Sequence, residues 1–341
     1  GSVFTIDGPV QSPTVDGEIR FKKGMLKLTG LPEQIRFPDN WGLLVRTRKD
    51  LELSPVEILT HTETTNVLMI GEGAAELSGA LQLKGFHPET LDIVVKGQGI
   101  NFSSTNVSNM TLRTSDDQEP IIVEGRFLSD PEKRSILTRG NIRITDGRYT
   151  RSFDALSRTV GGVFGRRMDM FSRPLTETFP VLADMALNMQ VTSTSFHVES
   201  PFPLGEAKLD LDMNLNVDGT MGKPLMNGLV GIRPKSTITY AFGKGRTFYI
   251  TQGVIEFQGD TEHPYIELSA ESEITYSQPK DGDVTSRNQS LDFEEEESVI
   301  VTIRIEGKYP KLDIYFESDR PEFDTADIQS LILVGVPASG D

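Results

Sequence analysis

From Lys208 to Asp218 the chain reads Lys-Leu-Asp-Leu-Asp-Met-Asn-Leu-Asn-Val-Asp, an unbroken alternation of apolar and polar residues. Successive side chains of an extended strand point to opposite sides, so Leu209, Leu211, Met213, Leu215 and Val217 share one face. Asp210, Asp212, Asn214, Asn216 and Asp218 line the other. Weaker versions recur at Leu91/Ile93/Val95, Met185/Leu187/Met189/Val191, Val301/Ile303/Ile305 and Leu312/Ile314/Phe316. A chain built from such strands has one long oily side and one long wet side. What fills the oily side decides what the protein can do.

The same period of two runs through most of the sequence, punctuated by Gly, Asp-Gly, Asn-Gly and Pro. Turn signals every eight to fifteen residues predict an all-β architecture, a sandwich, barrel or stacked solenoid. Two segments depart from the pattern. Phe153, Leu156, Val160 and Phe164 fall at helical spacing, predicting a short amphipathic helix within 151–167. Residues 277–297 carry almost no apolar side chains and contain four consecutive Glu, Glu294 to Glu297, the composition of a mobile acidic insertion. Asp324 to Leu333 reads as a helical segment with Ile328, Leu331 and Ile332 on one face, capped by Asp324 or Thr325. The expected organisation is therefore an expression scar at 1–2, a β repeat region at 3–150, a basic irregular or helical connection at 151–180, and a C-terminal β domain at 181–341.

Composition excludes several chemistries. The chain has no Cys, which removes disulfides, thiolate metal sites and thiol catalysis together. Net charge is −16, and an acidic surface repels phosphate backbones, so no nucleic acid is expected as a partner. His61, His87, His197 and His263 lack metal-ligand spacing, and no metal or cofactor is expected. Gly161 to Gly165 lacks the strand and Gly-Lys context of a phosphate loop, and no Gly-x-Ser-x-Gly elbow is present. Asp210 and Asp212 would stand about 7 Å apart on one face, within reach of a paired-carboxylate mechanism. The row continues through Asn214, Asn216 and Asp218, as a solvated face does. A cluster of Arg148, Arg151, Arg158, Arg166, Arg167 and Arg173 breaks the acidic background, either as a solvated loop or as a surface for anionic partners.

Specific blocks in the last third carry a resemblance. They are Val217-Asp-Gly-Thr-Met-Gly-Lys-Pro224 with Gly228, Arg246 to Phe257, His263 to Ala270, Ile303 to Phe316, Ser318-Asp-Arg-Pro321 and Asp327 to Gly335. In order and spacing they resemble the C-terminal domain of TamB, of the AsmA-like bridge proteins of diderm bacteria; residues 17–150 are more loosely similar to the upstream repeats of that family. The chain differs from the family pattern in its acidic insertion and in ending at Asp341. The resemblance implies a long antiparallel or mixed sheet curled into a U, the β-taco, with few short helices and no enzymatic activity. It further implies a periplasmic region of a protein anchored in the inner membrane by an N-terminal helix absent from this chain. The partner would be a TamA-like outer-membrane barrel with POTRA domains. The work would be moving phospholipid between membranes and assembling outer-membrane proteins.

On that reading the groove lining comprises Leu209, Leu211, Met213, Leu215, Val217, Ile250, Ile255, Phe257, Val301, Ile303, Ile305, Leu312, Ile314 and Phe316. Ile328, Leu331 and Ile332 become the partner-docking face of the terminal helix. Sixteen to twenty stacked strands would make a trough roughly 80–95 Å long. At about 0.8 kcal/mol per methylene, a 16-carbon chain crossing water alone would cost on the order of 12 kcal/mol, and a continuous apolar wall removes most of that. Two other readings stay open at this level: a secreted or periplasmic β-helix enzyme acting on carbohydrate, and an adhesin passenger. The single Trp (Trp41) and the lack of a regular coil repeat weigh against them.

Overall fold

Alternation builds strands nearly everywhere in the computed structural model. It describes residues 3–8, 14–26, 34–39, 41–47, 56–60, 67–70, 73–84, 87–104, 110–127, 135–150, 180–202, 205–240, 245–277 and 296–338. The first strands are β1 (Val3–Asp7), β2 (Thr14–Phe21), β3 (Gly24–Leu26), β4 (Ile35–Phe37), β5 (Trp41–Thr47), β6 (Val56–Thr60) and β7 (Val67–Ile70). Next come β8 (Gly73–Lys84), β9 (His87–Gln98), β10 (Asn101–Ser104), β11 (Met110–Thr114), β12 (Ile121–Arg126) and β13 (Ser135–Tyr149). After helix α1 (Pro180–Ala183) follow β14 (Ala186–Phe202), β15 (Gly205–Thr220), β16 (Lys223–Ile232), β17 (Thr237–Tyr240) and β18 (Thr247–Gly259). The chain finishes with β19 (Tyr265–Ser277), β20 (Glu296–Lys308), β21 (Lys311–Ser318) and helix α2 (Thr325–Leu333).

All 21 of these strands join one sheet. Several short strands lie end to end in a shared position: β2 with β3, β4 with β5, β6 with β7, β9 with β10, β11 with β12, and β16 with β17. The pairings therefore stack fifteen tiers, from β1 at one edge to β21 at the other. At about 4.8 Å per tier the stack is about 70 Å long, shorter than the strand count alone predicts because of the shared positions. Every pairing is antiparallel except that of β13 with β14, where Leu137 stands beside Ala186 and Tyr149 beside Val198. The sheet curls without closing into a barrel. Breaks of register in β14 between Ser193 and Phe196, and in β18 between Ile250 and Gln252, are bulges of the kind that bend a strand.

Cross-strand partners in an antiparallel ladder lie on the same face. The registers therefore trace one apolar stripe through the stack. It runs through Ile19 opposite Leu43, Leu77 opposite Val95, Ile142 opposite Val191, Leu215 beside Gly228, Val230 opposite Ile255, and Leu268 opposite Ile305 and then Ile314. This is the inner face. Near its start Phe21, Phe37 and Trp41 pack ring against ring at 4.9–5.5 Å.

Gly228 shows how tight the stack is. Its φ is +133°, and a Cβ there would sit 2.3 Å from the carbonyl oxygen of Asn214 on the neighbouring strand. Both the conformation and the space require glycine. Gly228→Ala is expected to cost about 2 kcal/mol or more, read as a lower urea midpoint at unchanged m-value.

Candidate functional site: the inner wall

The expected β domain, 181–341, and the expected repeat region, 3–150, meet in this one sheet through the β13–β14 pairing. The predicted helix at 151–167 and the core of the acidic insertion lie outside the described residues, as does the 1–2 segment. Residue 277 and residues 296–297, at the ends of the insertion, instead extend β19 and β20, where Ser277 pairs with Glu296 and Tyr276 with Glu297.

The registers place all fourteen groove positions on the inner face, in β15, β18, β20 and β21. They do not share one environment. Leu209, Leu211, Leu215, Ile250, Val301 and Ile303 are buried in a single apolar cluster, Val301 at 0% and Ile303 at 2% exposure. Met213, Ile255, Phe257, Ile305 and Phe316 are half-buried against the margin of that cluster. Val217 and Leu312 are likewise half-buried, and Ile314 on the edge strand is 51% exposed. Closer to β1 the inner face is mostly half-buried too, as at Ile19, Leu43, Leu77, Leu81, Ile93 and Val123, with fewer wholly buried side chains among them. The inner face thus passes from mostly half-buried side chains in its N-terminal tiers to packed core through β14–β20, and is accessible again at Ile314 on the edge strand β21.

Helix α2 packs on this core. Asp324 caps it by accepting from the N–H groups of Ala326 (2.8 Å) and Asp327 (2.9 Å), while Asp327 accepts in return from the Asp324 N–H. This reciprocal box satisfies donors that a helix start otherwise leaves bare. Ile328, Leu331 and Ile332 point into the same cluster as Ile274, Val299 and Val301, with Leu331 wholly buried. The helical spacing therefore located the face correctly, and that face is turned onto the chain's own sheet. Phe323 reinforces the seat against the Tyr276 ring at 5.6 Å, and the Tyr276 hydroxyl donates to Glu297 at 2.9 Å. Burial, followed by that carboxylate, pushes the Tyr276 phenol above its usual range.

The outer face is polar and busy with ion pairs. Arg233 grips Asp212 with two nitrogens, one at 2.8 Å from Nε, and also donates to the Thr194 carbonyl; the guanidinium holds the Asp212 carboxyl below the usual range. Asp210 pairs instead with His197, and His197 Nε2 lies 3.4 Å from Ser195 Oγ. The two carboxylates considered as a catalytic pair are thereby committed to separate partners, Arg233 and His197. Ser195, His197 and Asp210 fall in the order of a hydrolytic relay; alternation within one strand does not reveal it, because His197 and Asp210 meet only as partners across β14 and β15. They stand half exposed on the convex side, without the water-excluding walls such chemistry uses. Of the arginine cluster, Arg148 is described; it pairs with Glu199 at 3.0 Å. Among the described residues no group of three or more His, Asp or Glu is placed to hold a metal, and no helix is long and apolar enough to cross a membrane.

A long open mixed sheet, curled with its apolar face inward and packed near one edge against a short helix, makes this an all-β curled-sheet protein. The family model for the TamB C-terminal domain matches residues 65–341. The chain belongs to the TamB family. No curated protein matches it.

Proposed function

We propose that this chain is part of a periplasm-spanning, non-enzymatic bridge whose inner wall shelters phospholipid acyl chains on their way between the inner and outer membranes. A TamA-like barrel with POTRA domains is its outer-membrane partner, and assembly of outer-membrane proteins is the companion task. The remainder of the parent protein would supply the inner-membrane anchor. The supporting observation is the inner stripe itself, apolar through successive tiers and only half-buried along most of its N-terminal tiers. An apolar surface of that extent, short of full burial, is where a hydrocarbon guest gains most from leaving water. Methionines 189, 213 and 226 on the wall add side chains that adjust to a moving guest. On this reading Ile328, Leu331 and Ile332 serve docking indirectly, by holding α2 in a fixed pose at the end nearest the barrel.

Lipid carried through purification, measured by mass spectrometry, tests the reading. The wild-type chain should retain phospholipid, and Ile314→Arg together with Leu312→Arg should lower it about fivefold or more at an unchanged melting temperature. Ile314 is exposed and Leu312 half-buried on the edge strand, so an arginine at either position can carry its charge out to water. A wild-type chain that emerges free of lipid and detergent would remove the support for a conduit.

A further inference from the structure

Arg246 is an oddity in so acidic a chain. It immediately precedes β18, and its carbonyl accepts from the Tyr240 N–H at 2.9 Å, one step beyond Thr239 opposite Thr247. That register puts Arg246 and Tyr240 on the inner face, in line with Ile238 and Phe248, at the start of β18. Nε and Nη2 of Arg246 are shut away from solvent, and neither finds a hydrogen-bond acceptor among the described residues. Guanidinium donors withdrawn from water without a partner are destabilising. With 50 carboxylates in the chain, a neighbouring Asp or Glu would be the ordinary remedy. None of the described carboxylates pairs with it.

The neighbours are hydrocarbon instead. Phe248 is fully buried and meets the Tyr240 ring edge to face at 5.8 Å; Ile238 is half-buried beside them. A planar fork of N–H donors matches the oxygens of a phosphate, and an apolar surround matches hydrocarbon attached to it. We propose that Arg246 is the headgroup anchor of the trough, binding the phosphate oxygens of a phospholipid whose acyl chains enter along the inner wall. The assignment rests on the lipid-groove reading and adds to it a fixed polar contact at the start of β18.

The test loads the purified chain from phosphatidylglycerol vesicles and, separately, with a diacylglycerol of the same acyl chains, which lacks the phosphate. Retained lipid is quantified for wild type, Arg246→Gln and Arg246→Lys, and inorganic phosphate binding is followed by phosphorus NMR. Arg246→Gln should lower phosphatidylglycerol retention about tenfold, the loss of one charge-assisted hydrogen bond, and leave diacylglycerol unchanged. Arg246→Lys should recover part of it, and serves as the deciding variant if the Gln chain fails to fold by circular dichroism. Equal phosphatidylglycerol retention by wild type and both variants overturns the anchor while leaving the groove intact. Arg246-dependent binding of inorganic phosphate, with lipid retention unaffected, overturns the headgroup in favour of a free anion. Failure of the wild type to retain either lipid overturns the groove reading itself, and the anchor with it.

Discussion

Val301→Asp is expected to unfold the packed part of the trough rather than alter what it carries. Val301 has no exposed surface and packs in the same cluster as Ile303, Ile274 and Leu331. Its neighbours across the sheet are Ser272 and Ser318, neither of which offers a cation. An aspartate there loses the transfer energy of a buried valine and leaves an unpaired charge, together several kcal/mol. Urea unfolding followed by circular dichroism should show that loss, whereas a native-like midpoint would mean the cluster is looser than its packing implies. Leu211 and Ile303 belong to the same packed region, so charges placed at those two positions should behave as core defects. The Ile314 and Leu312 pair is the appropriate place to interrupt the groove while keeping the fold.

The second large effect concerns the end helix. Leu331→Asp should lift α2 from its seat, because Leu331 is buried against the sheet and its removal alone costs about 2–5 kcal/mol before the charge is counted. The sheet should survive, since its strands pair with one another and not through α2. Amide hydrogen exchange should therefore rise sharply over Thr325–Leu333 and in β19 near Ile274, while β14 and β15 stay protected. Uniform loss of protection would show that α2 is an integral part of the core, and no change would show that it is not held by Leu331.

The period-two signal made the fold class readable because strand side chains alternate with no drift, so even short stretches such as Leu312/Ile314/Phe316 declare a face. Strand β16 is harder to read from sequence. Its Pro224 and Asn227-Gly228 are turn signals in isolation, yet Pro224 stands at the strand's start and Gly228 is demanded by the neighbouring Asn214 carbonyl. That requirement exists only once β15 is alongside. Likewise, alternation shows that Val301 and Ile314 share a face but says nothing of how closely the opposite wall and α2 approach each. One became core and the other lining through tertiary packing. Helix α2 was legible from Asp324 and its apolar spacing; what the apolar face would meet was not. Arg246 appeared as part of a family block, and its isolation from carboxylates emerged only with the register of β17 on β18.

The lone parallel pairing has a mechanical corollary. Since β13 and β14 run in the same direction, Tyr149 at the end of β13 and Ala186 at the start of β14 stand at opposite ends of their shared ladder. Two antiparallel blocks are thus zipped together by a ladder that does not depend on covalent continuity. A chain cut anywhere between residues 149 and 186 would still hold its two blocks along that seam, as two halves joined edge to edge rather than a single unbroken thread.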